Sequence, residues 1–271
     1  MKCLLCNSLK IEYKFTYSGG DIYLKKLNVL NFDLKWYRCI NCQVFFSRQY
    51  ENIEKIYDDV SVYDANYDEK AIQERYEKII NLPEASSDNY ARVVRCKGYH
   101  TSFVNMIGSK KTKYNVLDVG AGMGVFIKKF QDTDYELEAL ELNKVAVKHL
   151  KKVLQVNVHQ EYMEELKFED KFDLITLNRV LEHIERPIDV MNSVSKALKL
   201  NGLVYLELPD SLSFEIDGET NEAFSSGHYM VYNSASICYL FDKSGLELLK
   251  LSRVREPSGK YTIYAFGRKI K

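Results

Sequence analysis

The sequence lacks an excess of charge of either sign: Lys and Arg total 38, Asp and Glu total 38, and the formal net charge is zero. Without an overall basic field the chain has no general means of gathering phosphate backbones or an anionic membrane surface, which argues against nucleic acid as its main partner. A long apolar run is also missing, because charged residues interrupt every hydrophobic stretch before it reaches membrane length. The opening Met-Lys-Cys-Leu-Leu-Cys is too short for a secretory leader. These absences predict a soluble, cytoplasmic protein with no membrane span. In that reducing compartment, paired cysteines are expected as metal thiolates rather than disulfides.

What is present divides unevenly along the chain. With 271 residues, 46% of them hydrophobic, there is enough material for one α/β domain of about 150 residues and a small accessory module. The accessory module is marked by two Cys-x-x-Cys pairs, Cys3/Cys6 and Cys39/Cys42. Two residues between cysteines let one tight turn present both sulfurs, and two such turns complete a tetrahedral zinc site. The 32 residues between the pairs carry strand-like stretches at 11–17 and 34–37 around a Ser-Gly-Gly-Asp turn at 18–21, the plan of a zinc ribbon. A redox pair is the rival reading, and it lacks the strand-helix context such pairs need. Four thiolates leave no open metal position, so the zinc is expected to be structural. Cys96 and Cys238 fall outside the set.

Residues 1–50 are therefore read as a zinc ribbon, 51–110 as a helical connecting region and 111–271 as the main domain. The connecting region shows helical spacing in Ile72, Tyr76, Ile79 and Ile80, and again in Val93, Val94, Phe103, Met106 and Ile107. Its Tyr63–Tyr67 stretch and its Arg92/Arg95 pair are candidates for a cofactor or an anionic acceptor, or else for a solvated helix face.

The main domain opens with an apolar strand at 115–119, the turn Asp118-x-Gly120-x-Gly122-x-Gly124, and a helix from Val125 to Phe130. A dinucleotide fingerprint would place its third glycine one position later. A second strand ends in Glu141, 23 residues beyond Asp118, where a carboxylate can accept from two ribose hydroxyls. A third strand near 155–158 precedes Glu161-Tyr-Met-Glu-Glu-Leu, and a fourth at 172–178 leads into Arg-Val-Leu-Glu-His-Ile-Glu-Arg-Pro. A helix at 188–200 with Asn201-Gly202 as its stop, a strand at 203–208, a helix at 234–243 and strands at 246–254 and 260–267 complete the pattern.

This order of motifs, over residues 114–268, resembles class I S-adenosylmethionine-dependent methyltransferases, and the whole chain resembles bacterial enzymes of that class with an amino-terminal zinc ribbon that methylate surface-polysaccharide sugars. The resemblance implies a Rossmann-like α/β fold, a seven-stranded, mostly parallel sheet with a final antiparallel hairpin. It implies cofactor contacts at Asp118, Gly120, Gly122, Gly124, Glu141, Leu142, Tyr162, Met163 and Asn178. The family often has Asp where Tyr162 stands. Sugar C-methyltransferases carry a further carboxyl-terminal domain that the sequence does not contain, so the implied activity is O-methylation of a sugar or a phosphorylated precursor.

An alcohol acceptor needs a base, whereas a carboxylate or phosphoryl oxygen does not. His183, beyond the fourth strand, and His228, in Gly-His-Tyr-Met-Val-Tyr, are the candidates, and each is also readable as a loop-ordering residue; His100, His149 and His159 read as surface or packing residues. Residues 210–233 show no period and read as a lid or binding loop, with Asp210 well placed and Asp217, Glu219, Glu222 and Phe224 further along. An RNA-base methyltransferase and a non-catalytic zinc-bearing scaffold are the alternative functions.

Overall fold

The computed structural model describes residues 1–19, 24, 32–48, 69–131 and 134–271. The Tyr63–Tyr67 stretch and the second half of the turn at 18–21 lie outside them. In chain order the elements are β1 (Ile11–Thr16), β2 (Lys35–Cys39), β3 (Phe45–Ser47), α1 (Glu69–Ile80), α2 (Asp88–Met106), β4 (Tyr114–Val119), α3 (Val125–Phe130), β5 (Tyr135–Leu140), α4 (Lys144–Leu154) and β6 (Asn157–His159). Then follow β7 (Phe172–Asn178), α5 (Pro187–Ala197), β8 (Leu198–Pro209), α6 (Leu212–Asp217), β9 (Met230–Val231), α7 (Ser234–Lys243), β10 (Leu246–Arg255) and β11 (Tyr261–Lys269).

Seven strands form one sheet in the order β10-β11-β8-β7-β4-β5-β6. The five from β8 to β6 run parallel, and β11 lies antiparallel between β8 and β10. Helices cover both faces, so the central strands are buried on both sides, which is why β4 and β7 read as near-continuous apolar runs rather than alternating ones. One face packs α2 and α3 through Val93, Cys96, Phe103, Phe126 and Phe130. The other packs α5 and α7 through Val190, Met191, Val194, Ile237 and Leu240. The chain order reverses between β4 and β7, and this is where an open α/β sheet offers a crevice at its carboxyl edge.

The helix boundaries follow local chemistry. Asn143 caps α4 by accepting from the N–H groups of Val145 and Ala146, Pro187 opens α5, and Asn233 and Ser236 form a reciprocal capping box on α7. The expected helix stop at Asn201-Gly202 is corrected: α5 ends at Ala197, and those two residues lie within β8. Asn201 is left-handed there, and a side chain on Gly202 would come within 2.8 Å of the Lys199 carbonyl and 2.9 Å of that of Phe172. The glycine marks a close backbone approach at the start of a strand, and nothing in its local sequence separates that from a helix terminus.

The amino-terminal strands form a second sheet, β1-β2-β3-β9, whose last strand comes from residue 230 onward. Residues 210–233 therefore hold α6, two single-turn helices and a strand, where a period-less loop was expected. Phe224 is wholly buried against Trp36 and Phe15, and the Trp36 indole donates to its carbonyl at 2.8 Å. The segment joins the cysteine-bearing sheet to the main domain, and Cys3, Leu5, Val44 and Phe46 share one apolar core with Met230, Tyr232, Ile237 and Leu240. No described helix is long and apolar enough to cross a membrane.

Candidate active site and cysteine cluster

The glycine turn after β4 is folded back onto β5. The N–H groups of Gly120 and Ala121 both donate to the Leu140 carbonyl, at 2.8 and 3.0 Å. All three glycines have left-handed φ angles, but their surroundings differ. A side chain at Gly120 would strike Val180, and one at Gly124 would strike Leu150 and Leu154. At Gly122 nothing lies within 4 Å, so its missing side chain faces open space. Two of the glycines serve internal packing and the middle one keeps a face clear.

Glu141 stands at the end of β5 and reaches across to this turn. One carboxylate oxygen accepts from the Gly122 N–H at 2.7 Å and the other from the Asn143 N–H at 2.8 Å. Burial raises its carboxyl above the ordinary value, and the backbone donors oppose that rise. Behind the turn, Asp118 is 2% exposed, and its Oδ1 accepts from the Thr176 hydroxyl at 2.7 Å and the Asn178 amide at 3.3 Å. Burial pushes Asp118 up to about 7 despite these donors, and the nearby Glu141 charge adds to the rise. The Oδ1 of Asn178 is buried with no hydrogen-bond partner among the described residues. An open glycine face and an orphaned buried acceptor beside it fit a ligand that brings its own donors. Leu142 and Tyr162 are exposed near the ends of β5 and β6, whereas Met163 is 3% exposed and belongs to the main core.

His183 and His228, 45 positions apart in sequence, are brought together at the end of β7, their ring centroids 4.7 Å apart. Each gives its Nδ1 to a backbone carbonyl at 2.8 Å, His183 to Gly227 and His228 to Ala223. Burial, with His183 alongside, pushes His228 down to about 3. Glu182 is 1% exposed and completes a group in which one ligand-type atom per residue lies within 4.8 Å of the others.

Sequence reasoning missed Thr176 and Glu182. Thr176 is in register with Asp118 across β4 and β7, and strand alternation puts it on the same face as Asn178, so period-2 counting from Asn178 would have found it. Glu182 adjoins His183 in the sequence, but the fold that buries it is not written locally. The Arg92/Arg95 pair is corrected from both of its readings. The guanidinium of Arg92 pairs with Glu207, and that of Arg95 bridges Glu207 at 2.8 Å and Glu256 at 2.6 Å. Burial alone would raise the Glu207 carboxyl; the charges of Arg92, Arg179 and Arg95 outweigh it and hold the group below its usual value. These arginines fasten α2 to the end of β8. Asp210 likewise serves the fold, accepting from the Leu212 N–H at 3.0 Å at the start of α6 and pairing with Arg253.

The four cysteine sulfurs lie within 4.8 Å of one another, with Cys3–Cys42 at 3.6 Å and Cys6–Cys39 at 3.4 Å. A zinc tetrathiolate with bonds of about 2.3 Å has sulfur–sulfur edges of about 3.8 Å, so the four residues fit a metal.

Comparison with known proteins agrees with this geometry. A family model described as a methyltransferase domain matches residues 86–251. A malonyl-[acyl-carrier protein] O-methyltransferase from Ilyobacter polytropus is 31% identical over an alignment of 144 positions that covers 46% of this chain and 52% of that protein. The chain thus spans about half the length of this curated relative. Among solved structures, the 1,6-didemethyltoxoflavin-N1-methyltransferase of Burkholderia thailandensis, crystallised with its substrate and S-adenosylhomocysteine, superposes with a TM-score of 0.55 at 15% identity, covering 86% of this chain and 98% of that one. The YcgJ protein of Bacillus subtilis gives 0.50 at 17% identity, covering 64% and 99%. With more than half of its length matched by the family model, and the sheet order and glycine turn in agreement, the chain belongs to the methyltransferase-domain family and has the class I methyltransferase fold.

Proposed function

We propose that the chain moves the methyl group of S-adenosylmethionine onto an oxygen of a small acceptor, a sugar or a phosphorylated precursor of a surface polysaccharide, in the cytoplasm. The observation that carries the reading is the asymmetry of the glycine turn: Gly120 and Gly124 are filled in by packing while Gly122 faces open space beside the orphaned acceptor of Asn178. When bound, the cofactor supplies a methyl carbon on a positively charged sulfur, and the displacement needs alignment and exclusion of water more than covalent help. Glu141 fixes the turn through the Gly122 N–H and keeps carboxylate lone pairs for ribose hydroxyls. Leu142 and Tyr162 stand exposed on the side where the adenine would rest, whereas Met163 is buried in the main core and would meet the ring only from within it. Asp118, held by Thr176, steadies Asn178, whose Oδ1 accepts from the ligand. His183 and His228 mark the acceptor side, where a hydroxyl gives up its proton.

The amino-terminal sheet is read as a zinc ribbon with Cys3, Cys6, Cys39 and Cys42 as ligands. Four thiolates close the coordination shell, so the ion would hold the fold and take no part in the reaction. A second acceptor reading, an acyl carboxylate on a carrier protein, is favoured by the name of the Ilyobacter relative. Calorimetric titration with S-adenosylmethionine and S-adenosylhomocysteine tests the cofactor assignment: both should bind, the product at least as tightly, and binding of neither would remove it. Transfer of labelled methyl to sugar nucleotides and phosphorylated sugars, set against malonyl thioesters and RNA, tests the acceptor. Label found only in the thioester would replace the sugar reading with the second.

A further inference from the structure

The turn after β7 and the approach to β9 are stitched together by backbone: the Tyr229 N–H donates to the Glu182 carbonyl at 2.7 Å, and the Tyr232 hydroxyl to that of Leu181 at 3.3 Å. This stitching delivers one carboxylate and two imidazoles to one place, with a ligand-type atom of each within 4.8 Å of the others. The imidazoles are held in a defined tautomer. A backbone carbonyl only accepts, so the Nδ1 atoms facing Gly227 and Ala223 carry the hydrogens and each Nε2 keeps the ring's lone pair. Metal-binding histidines are oriented in this way, by an outer carbonyl on the nitrogen that does not bind the ion. The third member supplies an independent sign. Glu182 is 1% exposed, and its Oε2 is buried with no hydrogen-bond partner among the described residues. An unpaired carboxylate oxygen inside a protein is costly; burial raises the carboxyl toward its protonated form, and a cation held with the two imidazoles is a partner that removes the cost with the charge kept.

We propose that Glu182, His183 and His228 hold a divalent transition-series cation of the manganese, iron or zinc kind. Two imidazoles and one carboxylate suit such an ion and leave positions open for an outside oxygen. Its task rests on the methyl-transfer reading given above. An acceptor hydroxyl binding at an open position becomes more acidic and releases its proton to solvent. The resulting oxygen attacks the methyl carbon; the new O–C bond forms as the C–S bond breaks, and the sulfonium leaves as the neutral thioether of S-adenosylhomocysteine. Nothing is oxidised or reduced, so a redox-inert cation suffices. The pair of histidines then acts by holding the ion that acidifies the acceptor.

The experiment is a titration of the purified full-length protein, its cysteine cluster loaded as isolated, with Mn²⁺, reading free ion by its paramagnetic resonance signal. Manganese is chosen because thiolates hold it poorly and it will not displace metal from the cysteines. One Mn²⁺ per chain should bind, and Glu182→Gln and His228→Asn should each weaken it at least about tenfold. Calorimetric binding of S-adenosylmethionine to the same variants reports that the fold is intact, and Glu182→Gln is close enough in shape to survive if the histidine variant does not. Absence of bound Mn²⁺ in the wild type, or equal binding by wild type and Glu182→Gln, overturns the proposal. Cation binding without cofactor binding would uphold the site and remove the methyl-transfer reading; cofactor binding without cation binding would do the reverse.

Discussion

The two halves of the sheet's carboxyl edge are built by opposite means. The half from β4 to β6, proposed above as the cofactor half, is made of short-range pieces: a glycine turn, a carboxylate at the next strand end, and backbone N–H groups that meet within 25 residues. The half from β7 to β8, proposed above as the acceptor half, is assembled from parts up to about 190 positions apart, including the Asn233 amide on the Gln43 carbonyl and the Trp36 indole on that of Phe224. A local turn can be specified by a dozen residues and shared by many enzymes. A surface assembled from a remote sheet and a strand that joins it is not specified by any short segment, and it is there that the proposed function puts recognition of the acceptor.

That contrast can be broken most forcefully at the cysteines. If the four thiolates hold zinc, Cys39→Ser should release the ion, and structural zinc in small modules supplies on the order of 10 kcal/mol of apparent folding free energy. Because β3 pairs with β9, the damage should spread into residues 210–233 and reach the acceptor half while the cofactor half survives. Metal analysis and hydrogen exchange check this. Stoichiometric zinc in the variant, or loss of protection confined to β4–β6, would remove the link between the two sheets.

The next largest effect is expected at Glu207. Its carboxylate is fully buried and receives Arg92, Arg95 and the Tyr205 hydroxyl, with Arg179 at 3.9 Å. Glu207→Ala would remove the carboxylate that Arg92 and Arg95 share and leave Arg95 with Glu256 as its remaining ion-pair partner, and breaking a buried pair on one side costs roughly 3–5 kcal/mol. Denaturant unfolding should register this, with cofactor affinity little changed in the protein that remains folded. A loss below about 1 kcal/mol would mean that water reaches the guanidinium groups and that the cluster is not a clamp.

Asp118 gives a pH test on the cofactor side. Its folded value of about 7 lies above the ordinary 3.8, so the folded state binds more protons than the unfolded state between those limits. Stability contributed by this group is therefore greatest at low pH and falls as pH rises through 7, by a few kcal/mol at most. Glu141 and the Cys96 thiol are the titratable groups coupled to it, and both are buried. Unfolding free energies of wild type and Asp118→Asn, compared from pH 5 to 8, isolate the term, since other groups cancel in the difference. A difference that stays flat with pH would place the Asp118 carboxylate in contact with solvent.

How much of this was readable from residues alone follows the same division. Apolar periodicity placed β4, α3, α7 and the final hairpin within about two residues, because each is bounded by its own turn or capping chemistry. Cys-x-x-Cys spacing brought four sulfurs together, since each tight turn is a local structure. The arginines of α2 were misjudged because their partners, Glu207 and Glu256, lie more than 110 positions away. Residues 210–233 looked irregular because they fold on contacts with β3 and Trp36, and a two-residue strand has no period to detect. Glu182 drew no reading from the sequence because its burial comes from the β9 approach, nearly 50 positions away.

The smallest and sharpest test concerns Glu141, where the cofactor half is held by two backbone bonds. Glu141→Gln keeps the size and one acceptor oxygen but sets an NH₂ group against one of the two N–H donors, so either Gly122 or Asn143 loses its partner. Hydrogen bonds to a charged group contribute about 1.5–3 kcal/mol, so S-adenosylmethionine affinity should fall roughly ten- to hundredfold if the carboxylate both positions the turn and meets the ribose. Asn143 also caps α4, a task that does not depend on Glu141, so the fold should stand and thermal unfolding should move little. Glu141→Ala discriminates between the two duties. Removing the side chain lets water reach both N–H groups, so an affinity that is better in Ala than in Gln would mean the carboxylate matters mainly for the turn. Equal losses would mean that the ribose contact carries the effect, and wild-type affinity in both would show that the turn holds its shape without Glu141.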